Sequence, residues 1–264
     1  MVIHAYKERG ETPLDVIKRL KNENIDLKHT PMTYAGRLDP LAEGLIIVLT
    51  GDDCMKKDEY TNLNKQYEVT VLFGFATDTY DLLGIVKNQS QNSKIVRRVG
   101  APGERVKRQQ FENSDFGIQE ILKNFTGKIE QKYPPYSSRT VDGKPLWMWA
   151  REGRLDEITI PTHQVYISNI EIINESQISK DELSIYIKNE VSKIAGDFRQ
   201  EEILKSWDEV LKNTDQENFL CVKLRIDCGS GTYVRVIAHE LGEALGIPAL
   251  AMHIKRTKIG DYTI

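Results

Sequence analysis

A single carboxylate, Asp39, lies in a segment whose composition suits a reactive loop. Gly36 and Gly44 bracket it, and Pro40 follows it directly. Glycine frees the backbone and proline fixes a torsion, while the apolar run at 45–49 predicts a buried strand directly behind the loop. Such a loop can hold one ionised carboxylate for nucleophilic attack or for general base catalysis. An Asp-Pro pair is also typical of an ordinary turn, so other parts of the chain must decide between the two interpretations.

The residue types that bind metals are not spaced as ligands. The three cysteines and five histidines are scattered along the 264 residues. An odd number of cysteines predicts free thiols in a reducing compartment, and we find neither a signal-peptide pattern nor an apolar run that could cross a bilayer. We therefore expect a cytoplasmic protein that needs no metal and does not enter a membrane.

Charge is distributed unevenly along the chain, whose net charge is −3. Residues 94–108 contain six basic side chains and one acidic one, whereas residues 171–217 contain twelve acids and six bases. Binding to phosphates follows the local potential, so the basic segment is either a phosphate-binding site or an ordinary solvated surface. It falls within a predicted long loop at 88–114. The basic side chains proposed as contacts are Arg97, Arg98, Arg105, Lys107 and Arg108.

The elements that must position these residues are helices and strands without a regular βαβ order. Apolar periodicity and capping predict helices at 12–21, 116–125, 146–153, 179–193, 201–211 and 233–245. Alternating apolar residues predict strands at 66–75, 165–173 and 220–228. This mixture favours an α+β fold in which helices pack on a mixed, mostly antiparallel sheet. We expect one domain over 1–264, with an acidic helical hairpin inserted at 174–218.

Six short motifs follow one another in a fixed order. They are K-x-x-G-x-T at 7–12, GRLDPLAEGL at 36–45, KQYEV at 65–69, G-x-x-TDT-x-D at 74–81, PYSS-x-x-x-x-G-x-x-L at 135–146, and CGSGTYVR at 228–235 with LG at 241–242. In this order they resemble the TruB family of pseudouridine synthases, which make pseudouridine at position 55, in the T-loop of tRNA. The GTYVR segment distinguishes that family from the ribosomal-RNA synthases, which also carry GRLD.

The resemblance implies a pseudouridine synthase fold and a role for each matching residue. Asp39 matches the catalytic aspartate, and Arg235 matches the arginine that pairs with it. Tyr67 matches the tyrosine that stacks on the target uracil and helps to remove a proton, and Ile254 falls near the apolar residue that packs on the flipped base. The implied reaction breaks the N1–C1′ bond of uridine, rotates the uracil and joins C5 to C1′. It imports no group, so it requires no cofactor.

The resemblance also implies the RNA contacts and shows where this chain departs from the family. It makes the T-arm of tRNA the expected partner. The charge of the loop at 88–114, which lies outside the matching motifs, makes that loop the candidate basic RNA clamp, and Arg37 is a further candidate contact. Tyr34 stands where the bacterial enzymes usually have a histidine, and we expect it to stack near the displaced nucleotide. We expect the protein to lack the C-terminal PUA domain that is common in the family and to act as a monomer.

Two other functions remain compatible with these motifs. The first is the same isomerisation on ribosomal or other RNA, because the GRLD spelling is shared with such enzymes. The second is a protein that binds and refolds tRNA without modifying it. The presence of Asp39, Tyr67 and Arg235 together argues against the second, because binding alone needs no such set.

Overall fold

The computed structural model describes residues 1–87 and 117–264. These residues form eleven strands and seven α-helices. The strands are β1 (Val2–Lys7), β2 (Met32–Ala35), β3 (Glu43–Thr50), β4 (Lys65–Phe73), β5 (Gly127–Lys132), β6 (Thr140–Val141), β7 (Lys144–Pro145), β8 (Thr162–Ser179), β9 (Asn218–Cys228), β10 (Ala249–Ile259) and β11 (Tyr262–Thr263). The helices are α1 (Pro13–Glu23), α2 (Lys57–Thr61), α3 (Ile118–Leu122), α4 (Leu146–Arg151), α5 (Lys180–Ser192), α6 (Gln200–Lys212) and α7 (Val234–Leu245).

Nine of these strands form one sheet, in the order β1-β3-β10-β4-β9-β8-β5, with β2 beside β3 and β11 beside β10. Strands β3 and β10 run parallel, and the other neighbouring pairs run antiparallel. Strands β6 and β7 form a separate small hairpin. The predicted α+β fold with a mixed, mostly antiparallel sheet is therefore confirmed.

Both faces of the central strands are covered. Because side chains alternate along a strand, Val69 and Val71 of β4 face one side and Leu72 faces the other. The first face packs against Ile237 and other apolar residues of α7. The opposite face packs against α5 and α6, whose Trp207 is 1% exposed. The sheet is thus held between α7 and a helical hairpin formed by α5 and α6.

The helical hairpin connects β8 to β9. A capping box between Ser179 and Glu182 starts α5, as the sequence predicts. The ring of Trp207 lies 5.1 Å from the ring of Phe75, between centroids, and so anchors α6 to the body of the protein. Residues 174–179, which the sequence assigns to the insertion, continue β8 and pair with β9. The helical part of the insertion therefore begins only at Lys180. The observed strand β8 extends beyond the predicted strand at 165–173 at both ends.

The other predicted elements match the observed ones within two residues, with one exception. The exception is the helix predicted at 116–125. The observed helix, α3, ends already at Leu122 and is followed by a 3-10 turn at Lys123–Phe125. The strands that were not predicted are β1, β2, β5, β6, β7, β10 and β11. The loop predicted at 88–114 lies outside the described residues. None of the helices in the described ranges is long and apolar enough to span a membrane.

Candidate active site

The carboxylate of Asp39 lies on the connection between β2 and β3, and the backbone of that connection is fixed by a buried arginine. Arg256, on β10, is 1% exposed. It donates from Nη2 to the carbonyl of Gly36 (3.3 Å), from Nη1 to that of Arg37 (3.1 Å) and from Nε to that of Leu45 (2.7 Å). Carbonyls at both ends of the Asp39 loop are therefore held by one guanidinium, whose donors form a rigid fork.

A buried lysine fixes the same loop just after Asp39. Lys7, at the end of β1, donates from Nζ to the carbonyls of Pro40 (3.1 Å) and Ala42 (2.5 Å). The amide of Gly10 also donates to the carbonyl of Pro40, at 2.9 Å. Burial lowers the pKa of Lys7 to about 8, and the negative charge of Asp39 opposes that shift. The K-x-x-G motif is thus explained as a clamp on the Asp39 loop.

The close approach of β3 and β10 depends on Gly44. Its φ is +114°, and a Cβ added there would lie 2.2 Å from the carbonyl oxygen of Arg256. Gly44 pairs with Arg256 in the short parallel ladder between the two strands. A side chain at this position would push β10 away, and with it the guanidinium that holds the Asp39 loop.

The contact between Asp39 and Arg235 that the resemblance implied is present. Arg235, in the first turn of α7, donates from Nε to Oδ2 of Asp39 at 2.9 Å. The arginine side chain is 3% exposed, whereas that of Asp39 is 39% exposed. Across the described residues, Arg235 is the one side chain in hydrogen-bond contact with this carboxylate. The second carboxylate oxygen, Oδ1, therefore has no hydrogen-bond donor among the described side chains.

Two backbone carbonyls hold the rest of the Arg235 guanidinium. Nη1 donates to the carbonyl of Thr79 at 2.6 Å, and Nη2 donates to that of Tyr136 at 2.8 Å. Burial by itself would lower the pKa of Arg235, but the charges of Asp39 and Asp81 raise it overall. The guanidinium thus stays charged, and three hydrogen bonds in different directions fix its orientation.

Asp81 is a second, fully enclosed carboxylate near Arg235. It is 8% exposed, and its Oδ1 accepts from the Thr79 hydroxyl (2.6 Å) and from the Leu83 amide (3.0 Å). Burial raises the pKa of Asp81 to about 6; the charge of Arg235 opposes that rise and the charge of Asp39 adds to it. The sequence alone is equally compatible with a turn-forming and a functional role for Asp81. The structure shows that it shares the electrostatic environment of Asp39 and Arg235.

Apolar and aromatic side chains from two adjacent strands accompany the carboxylate. Tyr67 on β4 and Ile254 on β10 are 8% and 6% exposed, and both lie in the core cluster that also contains Leu38, the residue before Asp39. Burial raises the pKa of the Tyr67 phenol, and Arg256 opposes that rise. Tyr67 is therefore un-ionised at neutral pH and can offer a ring face rather than a charge.

Of the other predicted RNA-contact residues, Tyr34 and Arg37 lie in the described ranges, and neither belongs to the core cluster that contains Tyr67 and Ile254. Tyr34 packs against the small core between α1 and β3, with the ammonium of Lys57 5.7 Å from its ring centroid. The Arg37 side chain is exposed, two residues before Asp39. The side chains Arg97, Arg98, Arg105, Lys107 and Arg108 lie outside the described residues.

The arrangement can perform acid–base or nucleophilic chemistry without a bound ion. One carboxylate oxygen is held by a buried cation, and the Asp39 side chain as a whole is 39% exposed. The preceding residue, Leu38, belongs to the same core cluster as Tyr67 and Ile254. Such a carboxylate can attack an electrophilic carbon or remove a proton. No group of His, Cys, Asp and Glu side chains in the described ranges could hold a metal ion.

Residues 26–193 match the model of a family described as TruB family pseudouridylate synthase (N terminal domain). The whole chain is similar to proteins named tRNA pseudouridine synthase B. It is 29% identical over 263 residues to that of Staphylococcus aureus (strain JH9), covering 100% of this chain and 67% of that protein. It is 26% identical over 266 residues to that of Parabacteroides distasonis, covering 100% of this chain and 87% of that protein.

Solved structures share the fold. The chain matches one in "Crystal Structure of a Cbf5-Nop10-Gar1 Complex" with a TM-score of 0.53 and 16% identity, covering 99% of this chain and 49% of that one. It matches another in "Structure of H/ACA RNP bound to a substrate RNA containing 2'-deoxyuridine" with a TM-score of 0.52 and 15% identity, covering 99% and 48%. The chain thus spans about half the length of these solved chains. Together with the family match, they confirm the predicted pseudouridine synthase fold.

Proposed function

The chain belongs to the TruB family of pseudouridine synthases, and we propose that it converts a uridine in the T-loop of tRNA to pseudouridine. The observation that carries this proposal is the buried Arg235 that holds one oxygen of the half-exposed Asp39 at 2.9 Å. The relatives named tRNA pseudouridine synthase B support tRNA as the RNA class.

In the proposed reaction Oδ1 of Asp39 acts on the ribose of the target uridine. It either attacks C1′ or removes a ribose proton to give a glycal; both routes break the N1–C1′ bond. The freed uracil rotates and C5 bonds to C1′. In the first route this bond displaces the Asp39 carboxylate from C1′, and in the second Asp39 returns the proton to C2′ of the glycal. The C5 proton then leaves and N1 gains a proton, so that the product is an isomer of the substrate. Arg235 holds the carboxylate in a fixed orientation through a charge-assisted hydrogen bond, which suits either route.

The uracil must leave its stack before Asp39 can reach the ribose. Tyr67 and Ile254 lie together in the cluster that borders the Asp39 loop, and we propose that they contact the flipped base. An aromatic platform contributes roughly 1–3 kcal/mol per stacked base, which offsets part of the cost of unstacking. The family resemblance implies that Tyr67 helps to remove the C5 proton. Because its phenol is un-ionised, we propose that its oxygen assists that step by hydrogen bonding and not as a charged base.

Binding to the T-arm is proposed to depend on the basic loop, with Arg37 and Tyr34 as further contacts. Arg37 is favoured by its exposed side chain close to Asp39, whereas Tyr34 rests on the family resemblance alone. Function as a monomer and a cytoplasmic location stay predictions from the sequence.

The decisive experiment measures tritium release from T-loop RNA labelled at uracil C5, with wild type and Asp39→Asn assayed side by side. We expect release with wild type only, while Asp39→Asn binds the RNA within about tenfold of wild type, because one oxygen-to-amide change leaves the surface intact. Turnover by a clean Asp39→Asn preparation would refute the assignment of Asp39. Binding without release by wild type would favour another target RNA or a tRNA-refolding role.

A further inference from the structure

Arg199 links the helical hairpin to the surroundings of the active site. It stands directly before α6 with a φ of 63°, a left-handed conformation that non-glycine residues rarely adopt. Its Nη1 donates to Oδ2 of Asp78 at 2.7 Å, and its Nη2 donates to Oδ1 at 3.4 Å. The Arg199 and Asp78 side chains are 13% and 26% exposed, so the pair is largely removed from solvent. A two-pronged contact of this kind fixes direction as well as distance.

The same guanidinium covers an aromatic ring on a different segment. The Cζ atom of Arg199 lies 4.4 Å from the ring centroid of Tyr136, within the range of a cation–π contact. Burial, and then the charge of Asp78, raise the pKa of the Tyr136 phenol, whereas Arg199 opposes the rise. Arg199 therefore joins two segments that are more than fifty residues apart in sequence.

These two segments supply the carbonyls that orient Arg235. The carbonyl of Thr79, one residue after Asp78, accepts from Nη1 of Arg235 at 2.6 Å. The carbonyl of Tyr136 accepts from Nη2 at 2.8 Å. The remaining nitrogen, Nε, donates to Asp39. A shift of either segment would therefore tilt the guanidinium and displace its third hydrogen bond, the one that holds the carboxylate.

We propose that Arg199 is a positioning residue, which orients Arg235, and through it Asp39, by fixing the Thr79 and Tyr136 carbonyls. The helical hairpin then contributes to the geometry of catalysis, a role that no motif assigns to it. The kinetic consequence rests on the proposed function, whereas the structural consequence, the immobilisation of Arg235, is independent of the substrate.

Docking of the hairpin does not by itself require Arg199. Its helices bury an apolar surface that includes Ile203 and Trp207. Arg9 donates to the hydroxyl of Tyr186 on α5 at 2.9 Å, and Arg151 pairs with Asp197 at 2.7 Å. The Arg151–Asp197 pair provides a matched control, because it ties the turn just before Arg199 to α4 and is not one of the hydrogen bonds that hold Arg235.

The test compares Arg199→Ala, Arg199→Lys and Arg151→Ala by two measurements. The first is hydrogen exchange of the Arg235 Nε–H by nitrogen-15 NMR, which requires no RNA. We expect exchange at least about tenfold faster in Arg199→Ala than in wild type, and close to wild type in Arg151→Ala, since opening of the Asp39 contact exposes this proton. Arg199→Lys should lie between them, because an ammonium keeps the charge but not the fork.

The second measurement is the single-turnover rate at saturating T-loop RNA, together with the Kd. We expect Arg199→Ala to lower the rate by about tenfold or more with Kd within about threefold, because misplacement of a catalytic group affects the chemical step. Unchanged Nε–H exchange in a folded Arg199→Ala, or an equal loss of rate in Arg151→Ala, would overturn the proposal. If Arg199→Ala does not fold, Arg199→Lys and Asp78→Asn carry the same comparison. If wild type shows no turnover, the proposed function fails while the exchange measurement still decides the role of Arg199.

Discussion

The enclosed carboxylate of Asp81 predicts a pH-dependent cost to folding that can be measured directly. Its ordinary pKa is 3.8, and burial raises the pKa of Asp81 to about 6 in the folded protein. Each pKa unit corresponds to about 1.4 kcal/mol, so complete ionisation of Asp81 should reduce the free energy of unfolding by roughly 3 kcal/mol. Asp81→Asn keeps an acceptor oxygen for Thr79 and Leu83 but carries no charge at any pH.

The sign follows from proton binding. Between pH 3.8 and about 6 the folded state binds the Asp81 proton more tightly than the unfolded state does, so stability falls as pH rises. The stability that proton binding by Asp81 contributes to the folded state is fully present below pH 3.8 and is lost as the pH rises through about 6. Wild type should therefore lose stability relative to Asp81→Asn across this window, and the difference should be constant above about pH 7.

The assay is urea unfolding of wild type and Asp81→Asn at half-unit steps from pH 4 to 8. Subtracting the two curves removes the contribution of every other titrating group that the substitution leaves unchanged. We expect the difference in unfolding free energy to change by roughly 3 kcal/mol, with its midpoint between pH 4 and 6. A difference that is flat across this range would show that Asp81 does not titrate with a raised pKa, and would refute the electrostatic description of the site.

Three further outcomes are expected. Gly44→Ala should destabilise the fold by at least about 3 kcal/mol in urea unfolding, because its Cβ would meet the Arg256 carbonyl; Gly143→Ala, at a positive φ with nothing within 4 Å, should cost only about 1–2 kcal/mol. Trp207→Ala should cost about 3–5 kcal/mol by the same assay, and Trp207→Phe much less, because the indole nitrogen has no hydrogen-bond partner among the described atoms; equal losses would contradict this. Neutralising the basic loop should weaken RNA binding and flatten its salt dependence, with the slope falling by about 0.9 for each phosphate that the loop no longer neutralises, whereas an unchanged slope would exclude the loop as an RNA clamp. The residues to be neutralised together are Arg97, Arg98, Arg105, Lys107 and Arg108.

Helices and strands with a regular apolar period were predictable from the sequence, and bulges help to explain two strands that were missed or predicted too short. Strand β10 has register shifts against β4 after Ala251 and after Arg256, and β8 has shifts against β9 after Ile167 and Ile172. Each shift breaks the period of two that identifies a strand in a sequence. The prediction therefore missed β10 and made β8 too short. Since Ile254 and Arg256 both lie on β10, this missed strand also contributes to the site.

The side chains of the candidate site that lie in motifs were predictable from the sequence. The main-chain carbonyls that hold them in position were not. Asp39 and Arg235 lie within distinctive motifs, so their proximity followed from the family resemblance. Arg256 lies in none of the motifs, and the strand that carries it was not predicted, so neither its burial nor its binding of carbonyls followed from the sequence. The partners of these cations are mainly main-chain oxygens, which carry no sequence signature.

Two of the motifs contain no residue with an assigned chemical role, and their contacts with main-chain carbonyls explain what they do in the structure. K-x-x-G supplies Lys7 and Gly10 to the carbonyl of Pro40, and the TDT segment supplies the carbonyl of Thr79 to Arg235. A carbonyl can be displaced by any movement of its segment, so each segment needs a rigid support. For the TDT segment, the helical hairpin supplies that support through the hydrogen bond from Arg199 to Asp78. An insertion that appears unrelated to the motifs can therefore influence catalysis by fixing the backbone next to them, without contacting the substrate.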